Sequence, residues 1–241
     1  MLESPLESLN GADAFLRAQV LEEREGFAAA RDAFEFADVH LYSDEVREAR
    51  DACLSHVVEL VRGGEGLVLD VATGRGTLLE LLLRDTSRPL GAMDLSPTIL
   101  RRVRERFGDE RVEYVAADAH ELPFGDGAVP TLASHLGLAN VPSSALSELR
   151  RVGRELVATH VFYPDEDVEN RAAAREAGLE ELLFRSAALQ TLADAGWYAA
   201  IEGERTVRAR PTPESALVPG VGIDGIPVVE TTGTWCVIRA F

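Results

Sequence analysis

The sequence contains no lysine. All 24 of its basic residues are arginine, set against 41 aspartates and glutamates, for a formal net charge of −17 over 241 residues. A field of that sign repels the phosphates of DNA and RNA, so no nucleic-acid partner is expected. The basic run "LRRVRERF" (100–107) reads as the solvated face of a helix. Cysteine is almost missing: Cys53 and Cys236 stand far apart, with no CxxC and no metal spacing, and read as buried thiols. The histidines His40, His56, His120, His135 and His160 form no HxH or HxxxH pair, so no metal is expected. No apolar run reaches the roughly 18 residues of a membrane span. The opening "MLESPLESLN" lacks the basic-then-apolar pattern of a signal peptide, which predicts a cytoplasmic protein away from membranes.

The apolar fraction of 46% over this length suits one α/β domain with a small helical addition. Residues 1–62 read as an N-terminal helical segment or lid, with apolar residues at three-to-four spacing in "ADAFLRAQVLEEREGFAAARDAFEF" (12–36) and "SDEVREARDACLSHVVELVR" (43–62), the second capped by Ser43. "RGGEG" (62–66) breaks the pattern, and residues 63–241 read as the main domain. There, strands are expected at "LVLDV" (67–71), "PLGAMDL" (89–95), "RVEYVAAD" (111–118), "VPTLASHLG" (129–137) and "RELVATHVFY" (154–163). Helices are expected at "GTLLELLLRD" (76–85), "SPTILRRVRERFG" (96–108), "SSALSELRRVG" (143–153) and "SAALQTLADAGW" (186–197), the last capped by Ser186. Two closing strands follow, "YAAIEGERTVRAR" and "TGTWCVIRAF". Strands alternating with helices predict a doubly wound, mostly parallel sheet of about seven strands, the last antiparallel.

The stretch "GLVLDVATGRGTLLELLL" (66–83) is a strand, a glycine turn and a helix. A dinucleotide fingerprint needs a third glycine at position 79, where Leu79 stands. Asp70, just before the turn, would also repel a pyrophosphate, so a nicotinamide-dependent oxidoreductase is disfavoured. An acid there suits a cation. S-Adenosylmethionine carries a sulfonium and an ammonium and no phosphate. Two further acids stand at expected strand ends. Asp94 can accept from both ribose hydroxyls, and Asp118 from the adenine amino group, while the Ala119 N–H donates to a ring nitrogen. Ligands of such sheets bind outside the carboxyl ends of the strands, where all three acids would gather.

With these motifs the chain resembles the Rossmann-fold S-adenosylmethionine-dependent methyltransferases. "LDVATGRG" and "ADAHELPF" are most similar to the ubiquinone/menaquinone-biosynthesis type and its small-molecule relatives. The resemblance spans about 44–165, with a weaker echo at 186–241. It implies cofactor contacts at Asp70, Ala72, Gly74, Gly76, Asp94, Leu95, Asp118 and Ala119. It also implies a small-molecule methyl acceptor and in-line transfer of the methyl group. Two places depart from the family pattern: "AVPT" puts Pro130 where relatives carry an acid entering the fourth strand, and "RRVGRE" keeps only Gly153 of the usual turn before the fifth. The runner-up reading is a catalytically silent S-adenosylmethionine-binding module. On the acceptor side, "SHLGLANV" offers His135 and Asn140, and "ATHVFYP" offers His160; His135 and His160 are the candidate bases. Tyr42 and the loop "GVGIDGIP" (220–227) are candidate covers.

The acid excess with no lysine resembles proteins of salt-loving cells. Like charges repel across the surface when the Debye length is about 30 Å, at 0.01 M salt, and hardly at all when it is about 3 Å, at 1 M. The melting temperature is therefore expected to rise from low to molar KCl by more than it does in a matched neutral-osmolyte series. A flat or falling KCl curve rejects the halophilic reading.

Overall fold

The computed structural model describes residues 44–176, 180–209 and 231–241. Ser43, Tyr42, the stretch 12–36 and the loop 220–227 lie outside the described residues. Contacts divide the chain into two units, residues 1–49 with 207–233 and residues 50–206 with 234–241. In the first, Arg47 pairs with Asp44 in the opening turn of helix α1 (Asp44–Arg62). The second unit carries the elements that frame the site.

Within it the chain runs β1 (Val68–Val71), α2 (Thr77–Asp85), β2 (Leu90–Asp94), α3 (Pro97–Phe107), β3 (Val112–Ala116), β4 (Val129–His135), α4 (Leu146–Val152) and β5 (Gly153–Phe162). It continues through α5 (Val168–Glu176), α6 (Glu180–Leu183), α7 (Arg185–Asp194), β6 (Ala199–Ala209) and β7 (Thr231–Ala240), the last two running in part into the first unit. The strands form one sheet in the order β3-β2-β1-β4-β5-β7-β6. Strands β1 to β5 pair in parallel and β7 runs antiparallel to β5. This is the expected doubly wound architecture, and winding reverses between β1 and β4, where such sheets open a crevice.

Local chemistry explains the elements. All four residues of β1 are buried, as a central parallel strand requires, whereas β3 alternates towards exposure as an edge strand does. Helix α3 has the caps its sequence announces: Ser96 Oγ accepts from the Ile99 N–H, Pro97 occupies the first turn, and Gly108 closes the helix at φ 54°. Pro130 sits at the entry of β4 beside Gly66, at the opposite end of that strand from the crevice. Ser186 is not the cap of α7. That helix starts at Arg185, and Ser186 Oγ instead donates to Asp165 (3.0 Å). Helices α5 and α6 were not expected; they are too short for an apolar period to be read, and they bury Ala174 and Leu182 while Arg171 and Arg175 pair with Glu180 and Arg171 with Asp165 at the surface. Among the described residues no helix is long and apolar enough to cross a membrane.

One buried cation fastens the base of the sheet. Arg88 is 6% exposed. Its guanidinium donates to the carbonyls of Val61 (2.7 Å), Glu65 (2.7 Å) and Gly66 (2.9 Å) and to Thr131 Oγ1 (3.0 Å). It thereby joins the end of α1, the glycine turn before β1 and the entry of β4. Arg88→Met would take the guanidinium donor from the Glu65 and Gly66 carbonyls and Thr131 Oγ1, while the Val61 carbonyl keeps the Gly64 N–H (3.2 Å), at about 1–3 kcal/mol for each group that water does not reach. Urea unfolding should show a loss of about 3 kcal/mol with an unchanged slope; a loss under about 0.5 kcal/mol would mean that Arg88 fastens nothing.

Candidate active site

The turn after β1 is built from strained and glycine backbone. Ala72 (φ 54°), Gly74 (φ 50°) and Gly76 (φ 79°) all adopt left-handed conformations within five residues. Ala72 has no glycine's licence for this and stores a small strain there. The Thr73 N–H donates to the Met93 carbonyl (2.9 Å) and the Gly76 N–H to the Thr73 carbonyl (2.8 Å), which draws the turn over the end of β2. A Cβ at Gly76 would stand 2.7 Å from the Phe107 ring, so that glycine lets the turn pack on α3. A Cβ at Gly74 would meet nothing within 4 Å: the turn faces open space there, as a cradle for a ligand must.

Asp70 lies inside β1 rather than after it, and is 1% exposed. Thr73 Oγ1 donates to its Oδ2 (2.6 Å), while Oδ1 is buried with no hydrogen-bond partner among the described residues. Burial pushes this carboxyl up to about 7; the Thr73 hydroxyl opposes the rise, the nearby Asp94 adds to it, and the Leu79 backbone N–H lowers it slightly. Asp94, at the end of β2, accepts from the Gly74 N–H through Oδ2 (3.0 Å) and from the Ser96 N–H through Oδ1 (3.0 Å). It binds the glycine turn to the start of α3 and retains a second lone pair on each oxygen. Leu95 beside it is 70% exposed, a large apolar side chain open to solvent.

Asp118 stands two residues beyond the end of β3, which stops at Ala116. It leaves the strand because its own carboxylate makes a local turn, accepting from the His120 N–H at 2.9 Å, as aspartates at such positions do. That bond and the His120 ring hold it below the usual carboxylate range. Ala119 is buried in the core. The loop that follows is clamped by Glu148 and Arg151. Glu148 accepts from the Leu122 N–H (2.8 Å), and Arg151 reaches Glu148, Asp126 and the Phe124 carbonyl. The Arg151 guanidinium holds Glu148 down to about 2.

Across the switch point, His135 ends β4. Its Nδ1 lies 2.7 Å from Thr159 Oγ1 on β5, and burial lowers its basicity to about 4, with Arg50 adding to the effect. Thr159 is its register partner, so the next residue, His160, points to the other side of the sheet. His160 is 1% exposed, with Nε2 on the Leu182 carbonyl (2.6 Å) and Nδ1 without a partner among the described residues. Burial lowers it to about 4 as well. The structure thus gathers Asp70, Ala72, Gly74, Gly76, Asp94 and Leu95 at the adjoining ends of β1 and β2, puts Asp118 and Ala119 just beyond neighbouring β3, and separates His135 from His160. Asn140 closes the short 3-10 turn Gly137–Asn140 after β4. Sequence reasoning missed Thr73, Thr159, His120 and Ser144. Only His120 left a trace, as the second residue after an aspartate in a turn.

Residues 68–155 match the family model described as a methyltransferase domain. The chain is 41% identical over 88 residues to a demethylmenaquinone methyltransferase of Clavibacter sepedonicus, covering 35% of this chain and 36% of that one. It is 36% identical over 149 residues to a malonyl-[acyl-carrier protein] O-methyltransferase of Halorhodospira halophila, covering 58% and 50%. It thus spans half or less of the length of these curated relatives. In fold it is similar to geranyl diphosphate C-methyltransferase of Streptomyces coelicolor, solved with S-adenosyl-L-homocysteine, at a TM-score of 0.56 and 18% identity, over 81% of this chain and 80% of that one. Residues 68–155 are thus similar to the methyltransferase-domain family, on a sheet whose fold is that of the solved methyltransferase.

Proposed function

We propose that this chain is an S-adenosylmethionine-dependent methyltransferase acting on a small molecule. The observation that carries the reading is the open face of Gly74 beside Asp70 and Asp94, the first acid holding a buried oxygen that no side chain among the described residues satisfies. The cofactor's chemistry fits this donor set: a cation for the Asp70 side, a ribose diol for Asp94, an apolar edge for Leu95 and an adenine amino group for Asp118. When bound, it supplies an electrophilic methyl group. The chain's own residues then hold, align and shield. Alignment of nucleophile and methyl group provides most of the acceleration in an in-line displacement. His135 is neutral at pH 7 and a poor proton acceptor, so it serves to orient the acceptor rather than to deprotonate it. One matched relative is named for demethylmenaquinone, which supports a small-molecule acceptor; another is named for malonyl-[acyl-carrier protein], a small acyl group held on a carrier.

Calorimetry tests the cofactor assignment. S-Adenosylhomocysteine at about 100 times its dissociation constant should raise stability by roughly 2.7 kcal/mol, and NAD should leave it unchanged. Asp94→Ala should lose about 1.5–3 kcal/mol of affinity while still melting cooperatively. Unchanged affinity in this variant rejects Asp94 as a ligand residue. Labelled cofactor added to metabolite extracts then identifies the acceptor.

Asp70 gives the binding a pH dependence of known sign. In the free protein its carboxyl is half protonated near pH 7. A cationic ligand favours the ionised form, so binding releases a proton and affinity should rise with pH. Between pH 6 and 7.5 the affinity for S-adenosylmethionine is expected to rise several-fold, with an upper limit of tenfold per pH unit for one proton. Asp70→Asn should flatten the curve. A wild-type affinity independent of pH in this window would show that Asp70 does not face the cation.

A further inference from the structure

Asp118 and His120 are joined more closely than a turn requires. The His120 backbone N–H and its ring Nδ1 both reach Asp118 Oδ1, at 2.9 and 2.8 Å. The other ring nitrogen, Nε2, lies 2.8 Å from Ser144 Oγ, in the 3-10 turn Ser143–Ala145 that leads into α4. A carboxylate only accepts and a neutral imidazole has one N–H. Nδ1 therefore carries the proton to Asp118, and Nε2 accepts from the Ser144 hydroxyl. Both lone pairs of Oδ1 are thus engaged by a single residue, whose ring is anchored at its far end to another element. Oδ2 takes no hydrogen bond from a described residue.

A carboxylate on an exposed turn is ordinarily loose about its last torsion, which is broad and roughly two-fold. This one is fixed, with one oxygen saturated and the other presented. Building on the cofactor reading above, we propose that His120 is the positioning residue for adenine recognition, pinning Asp118 Oδ1 so that Oδ2 meets the exocyclic amino group of the purine. A 6-oxo purine puts an acceptor at that place. A pinned carboxylate cannot turn away from it, whereas a loose one can swing aside or follow the ring N–H. His120 therefore sets the preference for adenine over hypoxanthine, through Asp118 and without touching the base.

The test compares S-adenosylhomocysteine with S-inosylhomocysteine by calorimetry, on the wild type and on His120→Ala, His120→Asn, His120→Gln and Ser144→Ala. Loss of a charge-assisted bond corresponds to about tenfold or more. His120→Ala is expected to lower the adenosyl-over-inosyl preference by about that factor. In His120→Asn the amide Nδ2 can replace the Nδ1 donor, and the preference should return to within about twofold of wild type. His120→Gln places its amide nearer Ser144 and should not restore it. Ser144→Ala frees the far end of the ring and should lower the preference by a smaller factor, which keeps the test open if His120→Ala fails to fold. A purely structural role would shift the melting temperature and weaken both ligands alike. A wild-type preference in His120→Ala or in Ser144→Ala, or failure of His120→Asn to restore it, overturns the proposal while leaving the cofactor reading intact. A wild-type protein that binds neither ligand overturns both.

Discussion

A carboxyl group sealed inside the central strand is the constraint on which the site depends. Asp70 is almost wholly buried, and among the described residues the Thr73 hydroxyl is the one side chain that donates to it, leaving Oδ1 without a side-chain partner. Burying an ionised group this way is costly, so near neutral pH the protein holds it partly protonated. The chain turns back at the left-handed Ala72, and the Thr73 hydroxyl that follows donates to Asp70. The same reversal brings the Thr73 N–H onto the end of β2 and opens the face of Gly74. An apolar residue at position 70 would make a more comfortable strand and would remove the reason for the turn's shape. Polarity retained at such expense, where a neighbouring space is open, marks a place where something charged is met.

The three acids do different work because burial grades them. Asp70 is enclosed and near neutral. Asp94 is half-buried, and both of its oxygens already secure backbone N–H groups of the turn and of α3. Asp118 is exposed, kept ionised by His120, and fixed by it. Under the proposed function the groups that brace the scaffold would also meet the ligand. A diol at Asp94 would then find a carboxylate whose orientation is already set by two N–H donors, with little ordering left to be done on binding.

Much of this was legible in the sequence, and the reasons are particular. Ser96, Pro97 and Gly108 announce α3 because each meets a backbone need that few other residues meet. Gly74, Gly76, Asp94 and Asp118 were legible for the same reason: turns and strand ends impose residue types. The exact end of β3 was not, because a local bond between Asp118 and His120 competes with the ladder, and its strength depends on a ring orientation that no spacing reveals. Helices α5 and α6 were invisible because, at nine and four residues, they bury too few side chains to set up a period. His135 and His160 looked equivalent as strand-end histidines. Their opposite facing follows from the register of β4 with β5, which becomes known only once the two strands pair.

That difference in legibility separates the two halves of the site. The ends of β1, β2 and β3 are shaped by backbone demands: left-handed φ, a glycine packed against an aromatic ring, carboxylates bound to N–H groups. Few sequences satisfy them, and the family match over 68–155 covers this part. Beyond it, the stretch from Tyr163 to Phe184 is held by contacts that many sequences could supply: His160 on the Leu182 carbonyl, the Tyr163 N–H on the Leu183 carbonyl, and Glu181 on Ser143. These contacts fasten the stretch to β5 and to the turn before α4, and none of them touches Asp70, Asp94 or the glycine turn. Residues there can therefore change without disturbing the strand ends. A chain built this way can keep the chemistry of the strand ends fixed while the groups after β5 change, so under the proposed function the turn speaks to the methyl donor and not to the acceptor.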